Sequence, residues 1–212
     1  MSTHRFSTLA LAVLAALALS ACGDFPSAPL SARDIVDGTR ALEPDGRFQL
    51  ENVNGEITLR TWSRDEVRIQ AERAATSEEA LDDIEIDIEG EGREVRVKTR
   101  YPKRKSWFAG GNRGKVDYEV TVPRGADVRL KTVNGHVDVE GLTGDLQVES
   151  VNGGLELADL EGEVQARTVN GGIHAGFDRV PGEGKHRFKT VNGGIEVSLP
   201  EGTGGRLKAK TV

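Results

Sequence analysis

The side chains that could support acid–base or metal chemistry are few, and their spacing assembles no catalytic set. His136, His174 and His186 occupy three different positions of an internal repeat, so they share no column. Zinc sites combine histidines with cysteines or carboxylates at fixed spacings, and no cysteine lies near these histidines. The sequence also lacks Gly-x-Ser-x-Gly, phosphate-loop and His-Glu-x-x-His motifs. We therefore predict a non-enzymatic protein without a cofactor or a bound metal.

One residue has a distinct chemical role: Cys22, the single cysteine of the chain. It follows the apolar run 9–19, which Arg5 precedes. This run is shorter than the roughly 20 residues of a transmembrane helix and fits a secretory signal peptide. The segment Leu19-Ser20-Ala21-Cys22 resembles a bacterial lipobox, in which a peptidase closes on small residues and the cysteine thiol takes a diacylglycerol. We predict a signal peptide over residues 1–22 and a lipid anchor at Cys22.

The destination of the anchored chain follows from the residue after the cysteine. In enteric-type sorting an Asp at that place favours retention in the inner membrane, and here the residue is Gly23. The resemblance therefore implies the outer membrane, with the domain facing the periplasm or the cell surface. The formal net charge of −6 argues against nucleic acid as a partner.

Basic side chains recur at the outward positions of the segment before each repeat motif, where Glu149 is the one acid. The segment after each motif is acidic instead, with Asp138, Glu140, Glu156 and Glu196. If the copies stack, a basic face lies beside an acidic one, and the basic face is a candidate site for an anionic polysaccharide. The alternative is an ordinary solvated strand face. The bases are Arg129, Lys131, Arg167, Arg187, Lys189, Lys208 and Lys210.

A second candidate surface is the basic loop over residues 101–115, which carries Trp107 and Phe108. Adjacent aromatic side chains among lysines and arginines could enter a lipid headgroup layer or contact an envelope protein. The alternative is a hairpin loop whose aromatic rings fold back on the sheet.

The internal repeat must position these side chains. Its motif occurs at Thr132-Val-Asn-Gly135, Ser150-Val-Asn-Gly153, Thr168-Val-Asn-Gly171 and Thr190-Val-Asn-Gly193, with asparagines 18, 18 and 22 residues apart. Apolar residues also recur three residues before the motif valine and four and six after it. An earlier copy, Asn52-Val-Asn-Gly55, lies 80 residues upstream of the next.

Two folds could produce this pattern. In a β-solenoid each copy is one coil of 18–22 residues, and Asn134, Asn152, Asn170 and Asn192 stack in a hydrogen-bonded ladder. In an antiparallel meander each Asn-Gly is a hairpin turn. We favour the β-solenoid, because there the equivalent residues of successive copies stack on one another. This stacking explains why each equivalent position keeps its residue type from copy to copy.

The rest of the chain predicts four segments: the signal peptide, a proline-containing flexible tether over 23–45, a strand-rich segment over 46–127 and the repeats over 128–212. In the third segment Ser77 is expected to cap one short helix, and Glu85 and Asp87 to face Arg96 and Lys98 across a hairpin. Because the repeat stops midway at Val212, we also predict that the natural chain runs further.

Repeated Thr-Val-Asn-Gly-Gly-Ile segments behind a lipobox resemble the bacterial putative-adhesin β-strand-repeat family, over about residues 48–212. The resemblance implies an all-β fold and supplies no catalytic residues. We predict an adhesin-like or scaffold module of the cell envelope. The alternatives are an envelope-stress or regulatory sensor that binds a protein partner and, third, a glycan-active enzyme, which would need a catalytic cluster at one copy of the repeat.

Overall fold

The computed structural model describes residues 29–101, 114–180 and 184–204. Over these residues the chain is all-β, with fourteen strands and one short helix. The strands are β1 (Ala32–Glu51), β2 (Ile57–Trp62), β3 (Glu66–Ala75), β4 (Glu85–Glu89), β5 (Gly92–Arg100), β6 (Gly114–Pro123), β7 (Asp127–Lys131), β8 (Val137–Glu140), β9 (Leu146–Glu149), β10 (Leu155–Leu160), β11 (Val164–Arg167), β12 (Ile173–Phe177), β13 (Arg187–Lys189) and β14 (Ile195–Ser198), and the helix is α1 (Glu78–Asp82).

Twelve strands form one path, in the order β13-β11-β9-β7-β1-β3-β6-β2-β8-β10-β12-β14, and the hairpin of β4 and β5 joins it beside β1. We call β7, β9, β11 and β13 the first arm, and β8, β10, β12 and β14 the second arm. The sheet is nearly closed, and its two ends, β13 and β14, belong to the same repeat copy.

The long strand β1 joins the two parts of the sheet. Its residues 32–41 pair antiparallel with β3, and its residues 47–51 lie parallel to both β5 and β7. The pairing shifts register between Leu42 and Arg47. Gly46 lies at this bend, where an added Cβ would be 2.7 Å from Leu42 Cδ1 and 3.0 Å from the Glu43 carbonyl oxygen. The bend turns the chain from one face of the core to the other.

Successive repeat copies pair in parallel and in register. In the first arm Leu130 pairs with Val148, and Val148 with Ala166. In the second arm each copy likewise pairs with the equivalent position of the next, as in Val137 with Leu155. Each copy thus gives one strand to each arm, and equivalent residues lie about 4.8 Å apart along the stack. The antiparallel meander is wrong for these copies.

The recurrent apolar positions point between the arms and form a single core. Leu130, Val137, Leu155 and Ile173 are each fully buried, and one cluster joins the side chains of both arms. Burying an aliphatic side chain of this size contributes about 1.5–3 kcal/mol. Because the same positions recur in every copy, the core lengthens by one layer with each repeat.

The predicted flexible tether is too long, because β1 begins at Ala32 and the boundary proposed at residue 45 falls inside it. This half of β1 buries few apolar side chains, so no hydrophobic period marks it as a strand. It is held by the backbone ladder to β3 and by ion pairs such as Arg68 with Asp37, 2.7 Å apart. Of the predicted tether's described residues, 29–31 precede the strand.

The short helix and the hairpin follow their sequence signals. Ser77 caps α1, and its hydroxyl accepts a hydrogen bond from the Ala80 amide. Across the hairpin Asp87 faces Lys98, as predicted. Glu85, however, faces Arg100 rather than Arg96. The reason is that antiparallel partners run in opposite directions, so the pairing of Asp87 with Lys98 sets Glu85 opposite Arg100 and leaves Arg96 opposite Glu89.

Candidate functional site

Several residues with predicted roles lie outside the described residues. These are Cys22, the aromatic pair Trp107 and Phe108, and the chain end with Lys208, Lys210 and Val212. In the described ranges no helix is long and apolar enough to cross a membrane. Among the described residues, the candidate site is the stacked repeat surface.

The motif asparagines form a continuous ladder where the chain passes from the first arm to the second. Each side-chain amide donates to the side-chain oxygen of the previous copy, starting with Asn134 to Asn54 at 2.7 Å and ending with Asn192 to Asn170 at 2.7 Å. The backbone pairs alongside, as in the Asn152 amide donating to the Val133 carbonyl at 2.7 Å. The ladder fixes the register of the copies, and so the positions of all outward side chains.

The motif glycine is required by close approach of successive copies. An added Cβ at Gly135 would lie 1.9 Å from the carbonyl oxygen of Gly55, and one at Gly153 would lie 1.9 Å from that of Gly135. Gly55, Gly171 and Gly193 also have a positive φ, at 115°, 157° and 156°. Gly135 and Gly153 do not share that conformation. The steric contact between copies is the common reason.

The outward charges alternate along one of the two rows of the first arm, so acids interrupt the predicted basic face there. The other row holds no acid: its members are Gln49, Arg129, Gln147, Gln165 and Arg187. In the alternating row Lys98 pairs with Glu51, Glu51 with Lys131, and Lys131 with Glu149. Opposite charges on neighbouring strands stabilise each other. Glu51 was missed in the sequence, because it lies 80 residues before Lys131 and its place in the row depends on the parallel pairing of β1.

The carboxylate of Glu51 is the clearest electrostatic feature of this row. Lys98 Nζ lies 3.0 Å from its Oε2. That hydrogen bond is the main cause that lowers the pKa of Glu51, and the nearby charges of Lys131 and Arg129 lower it further. Both partners are about half exposed, so solvent weakens the pair.

The alternation ends at the last copies, where bases stand together. Glu149 pairs with Arg167, and Arg167 then pairs with Lys189 rather than with an acid. Arg187 lies two residues before Lys189, on the same face of β13. Arg167, Arg187 and Lys189 are all exposed. We call these three residues the basic cluster.

The second arm presents an acidic row. Asp138, Glu156, His174 and Glu196 stand at equivalent positions of four copies. His174 Nδ1 lies 3.0 Å from Glu156 Oε1. At the start of the row Arg60 Nη1 lies 2.5 Å from Asp138 Oδ1, and Arg60 Nε lies 3.1 Å from Glu140 Oε2.

A shallow groove of about 330 Å³ runs along this row, and the small residues Ala158 and Gly176 form part of its lining. No group of three or more His, Cys, Asp or Glu side chains in the described ranges converges to hold a metal ion.

His186 packs into the end of the core rather than onto the surface. Its ring lies 4.5 Å from the ring of Phe177, and its Nδ1 accepts a hydrogen bond from the Val164 amide at 3.3 Å. Burial lowers the pKa of His186, although the charge of Glu163 acts the other way. His186 therefore has a packing role.

The motif valines lie on the outside. Val133, Val151 and Val191 are 36 %, 39 % and 56 % exposed. Sequence alone does not show this, because a valine beside a turn is as compatible with the interior as with the surface.

Comparisons with known proteins bear on the fold. No protein-family model matches the sequence, and no curated protein matches it. Matching solved structures include a putative adhesin from Bacteroides fragilis, with a TM-score of 0.33, 12 % identity and coverage of 77 % of this chain and 97 % of that one. Another is a putative lipid binding protein from Parabacteroides distasonis, with a TM-score of 0.27, 10 % identity and coverage of 79 % and 95 %.

A third solved structure is a putative cell adhesion protein from Clostridium sporogenes, with a TM-score of 0.51. The match covers 78 % of this chain and 99 % of that one, at 10 % sequence identity. At that identity the likeness concerns the arrangement of the backbone alone. The chain thus has an all-β fold similar to that of this putative cell adhesion protein.

Proposed function

We propose that this protein is a lipid-anchored, adhesin-like binding module of the bacterial envelope, whose repeats form a β-solenoid. The parallel, in-register pairing of the copies and the asparagine ladder support the β-solenoid. The lipobox-like segment before Cys22 supports the anchor. The fold similarity to a putative cell adhesion protein is compatible with a binding role, although a fold does not determine a function.

We infer that the ligand is an anionic polysaccharide and that the basic cluster contacts it. The observation that carries this inference is the pairing of Arg167 with Lys189, which sets bases side by side where the rest of the row alternates. Stacked like charges repel each other and are relieved by an anionic partner. Guanidinium groups bind carboxylate, sulfate and phosphate oxygens in a bidentate manner. The rigid sheet holds these groups at a spacing that a polymer with regularly placed anions can follow.

The test is binding of the full chain to heparin, a sulfated polysaccharide, and to polygalacturonate, a carboxylated one, with neutral dextran as the negative probe. The variant Arg167→Glu, Arg187→Glu, Lys189→Glu should lose binding at least tenfold, and binding of the original chain should weaken as salt rises. Unchanged binding by this variant, or equal binding to dextran, would reject the inference.

A control variant separates the basic cluster from net charge. Arg40, Arg64 and Arg93 are exposed and lie away from the basic cluster. Replacing all three by Glu makes the same change in net charge. This control should bind heparin within about twofold of the original chain.

A regulatory sensor that binds a protein partner is the second candidate. The observation that favours it is the apolar surface of the last copy, where Ile195 and Leu199 are 46 % and 52 % exposed. A protein partner would cover this surface without needing the basic cluster.

A further inference from the structure

The row of the first arm that holds no acid carries cations and amides without partners among the described residues. Arg129, Gln165 and Arg187 make no side-chain hydrogen bond or ion pair there. Gln147 donates its side-chain amide to Glu149 at 3.1 Å, which leaves its side-chain oxygen to accept. We call Arg129, Gln147, Gln165 and Arg187 the Gln–Arg row. Its free donors and acceptors are available to a ligand that carries both anions and hydroxyl groups.

A groove of about 270 Å³ follows the Gln–Arg row over the middle of the first arm. Arg129, Gln147 and Gln165 line one side of the groove, and the acids Asp127, Asp145 and Glu163 line the other. The strands beneath it, β7, β9 and β11, each have a described neighbour on both sides. The groove therefore lies within the sheet and not at its edge.

The acids along the groove are held by the backbone of the next copy. Asp127 Oδ1 accepts a hydrogen bond from the Asp145 amide at 3.1 Å, and Asp145 Oδ1 accepts one from the Glu163 amide at 3.0 Å. These bonds fix the carboxylates, and the second oxygen of each can still accept from a hydroxyl group. Because carboxylates repel anions, this side of the groove favours neutral sugar units over anionic ones.

Two arginines stand on either side of the two glutamines in the row. β7 and β13 are three steps apart in the first arm. At about 4.8 Å per step, the backbones of Arg129 and Arg187 are about 14 Å apart. One sugar unit of an extended glycan is comparable in length to one step. The row therefore matches a glycan in which neutral sugars separate the anionic ones.

We propose that the polysaccharide lies along this groove, across the strands of the first arm, and that the groove selects a glycan whose anionic groups are separated by neutral sugars. Arg129 and Arg187 bind the anionic groups, and Gln147 and Gln165 bind the hydroxyl groups between them. Arg187 also belongs to the basic cluster, so the path of the glycan is continuous with that cluster. This path rests on the proposed function, to which it adds the class of glycan.

The test compares hyaluronate, which has a carboxylate on every second sugar, with polygalacturonate, which has one on every sugar. Isothermal titration calorimetry of the full chain should show tighter binding to hyaluronate. Gln147→Ala with Gln165→Ala should weaken hyaluronate binding about tenfold, the loss expected for two hydrogen bonds of ordinary strength. This double variant should also lose the preference for hyaluronate over polygalacturonate.

The salt dependence of hyaluronate binding separates the two kinds of contact. Gln147→Ala with Gln165→Ala removes no charge, so binding should weaken with salt as steeply as in the original chain. Arg129→Gln removes one ionic contact, so binding should become less sensitive to salt. A general disturbance of the sheet would not divide the variants in this way.

Gln70→Ala is the matched control, because Gln70 is also an outward glutamine of a paired strand and lies on β3, away from the groove. It should leave the affinity for hyaluronate unchanged.

Three results would overturn the proposal, and they are distinct from failure of the proposed function. These are equal affinity of the original chain for the two glycans, unchanged binding by the double glutamine variant, and an equal loss in Gln70→Ala. In each case, loss of binding in the basic-cluster variant would still support the proposed function. If the original chain binds neither glycan, both proposals fail.

Discussion

At the scale of single residues, contact between copies decides which side chains the motif permits. The two neighbouring glycines after Asn152 have different surroundings. An added Cβ at Gly153 would overlap the Gly135 carbonyl oxygen at 1.9 Å, and one at Gly154 would meet the His136 ring at 3.2 Å. Backbone of the neighbouring copy cannot move away without breaking the stack, whereas an imidazole can rotate.

Gly153→Ala is therefore expected to lower the free energy of unfolding by about 3 kcal/mol or more, the upper range for overpacking. Gly154→Ala, the matched control, should cost less than about 1 kcal/mol. Urea denaturation followed by circular dichroism measures both values. Equal losses in the two variants would mean that the close approach between copies is not what excludes a side chain.

The carboxylate of Glu51 is a second feature at this scale, and its contribution depends on pH. Its pKa in the folded chain is lowered from about 4.5, first by the hydrogen bond with Lys98. A lowered pKa means that the carboxylate stabilises the fold above pH 4.5, and that this stabilisation is lost as the pH falls through the folded value.

Glu51→Gln should therefore reduce stability at pH 7 by less than about 1 kcal/mol, the range for exposed ion pairs. The difference from the original chain should shrink as the pH falls below 4.5 and through the lowered pKa of folded Glu51, because the protonated carboxyl is neutral like the amide. Thermal unfolding between pH 3 and pH 8 measures it. A difference that does not change with pH would show that the amide disturbs the strand for another reason.

At the scale of the elements, one column of the second arm contains both a buried and an exposed example of the same position. Leu155 is fully buried in β10, and Ile195 is 46 % exposed in β14. β10 pairs with a strand on each side, whereas β14 has one described neighbour, so the contrast isolates the effect of a covering strand.

Leu155→Ala is expected to destabilise the chain by about 2–5 kcal/mol, because it leaves a cavity that the rigid stack cannot close. Ile195→Ala should cost less than about 1.5 kcal/mol at protein concentrations where the chain is monomeric. Chemical denaturation measures both variants. A large loss from Ile195→Ala in the monomer would show that something in the same chain already covers β14.

At the scale of the whole molecule, the stack of copies is a rigid surface, and the proposed lipid anchor would decide where that surface acts. Short hydrogen-bonded copies with a shared core extend in one dimension, and each copy contacts only its neighbours. A lipid at Cys22 would hold this surface close to a membrane. One acyl chain gives reversible membrane binding, and a second chain makes the binding stable.

Cys22→Ser is expected to move the protein from the membrane fraction to the soluble fraction of the envelope and to abolish labelling by a palmitate analogue. Ser20→Ala is the control, because it keeps a small residue before the cysteine and should leave both properties unchanged. Fractionation followed by immunoblotting measures the distribution. Persistent labelling of the Cys22→Ser variant would reject lipid attachment at this residue.

Local patterns in the sequence were enough to predict the all-β class, the repeat copies, the apolar columns, the Ser77 helix cap and the β4–β5 hairpin. Each of these depends on residues a few positions apart, where period, capping and turn chemistry act directly. The motif match also marked Asn52-Val-Asn-Gly55 as an earlier copy, although the predicted ladder began at Asn134 and did not include Asn54, which lies beside it.

The tertiary structure decided what depends on pairing between distant segments. Period-two alternation fits a parallel stack and an antiparallel meander equally well, so the direction of pairing is visible only in the backbone hydrogen bonds. The first half of β1 needs no apolar period, because backbone pairing with β3 and ion pairs hold it in place rather than the burial of apolar side chains. The charges alternate because β1 brings Glu51 beside Lys131. A row of side chains across a sheet takes its members from strands far apart in the chain, and no local pattern records that order.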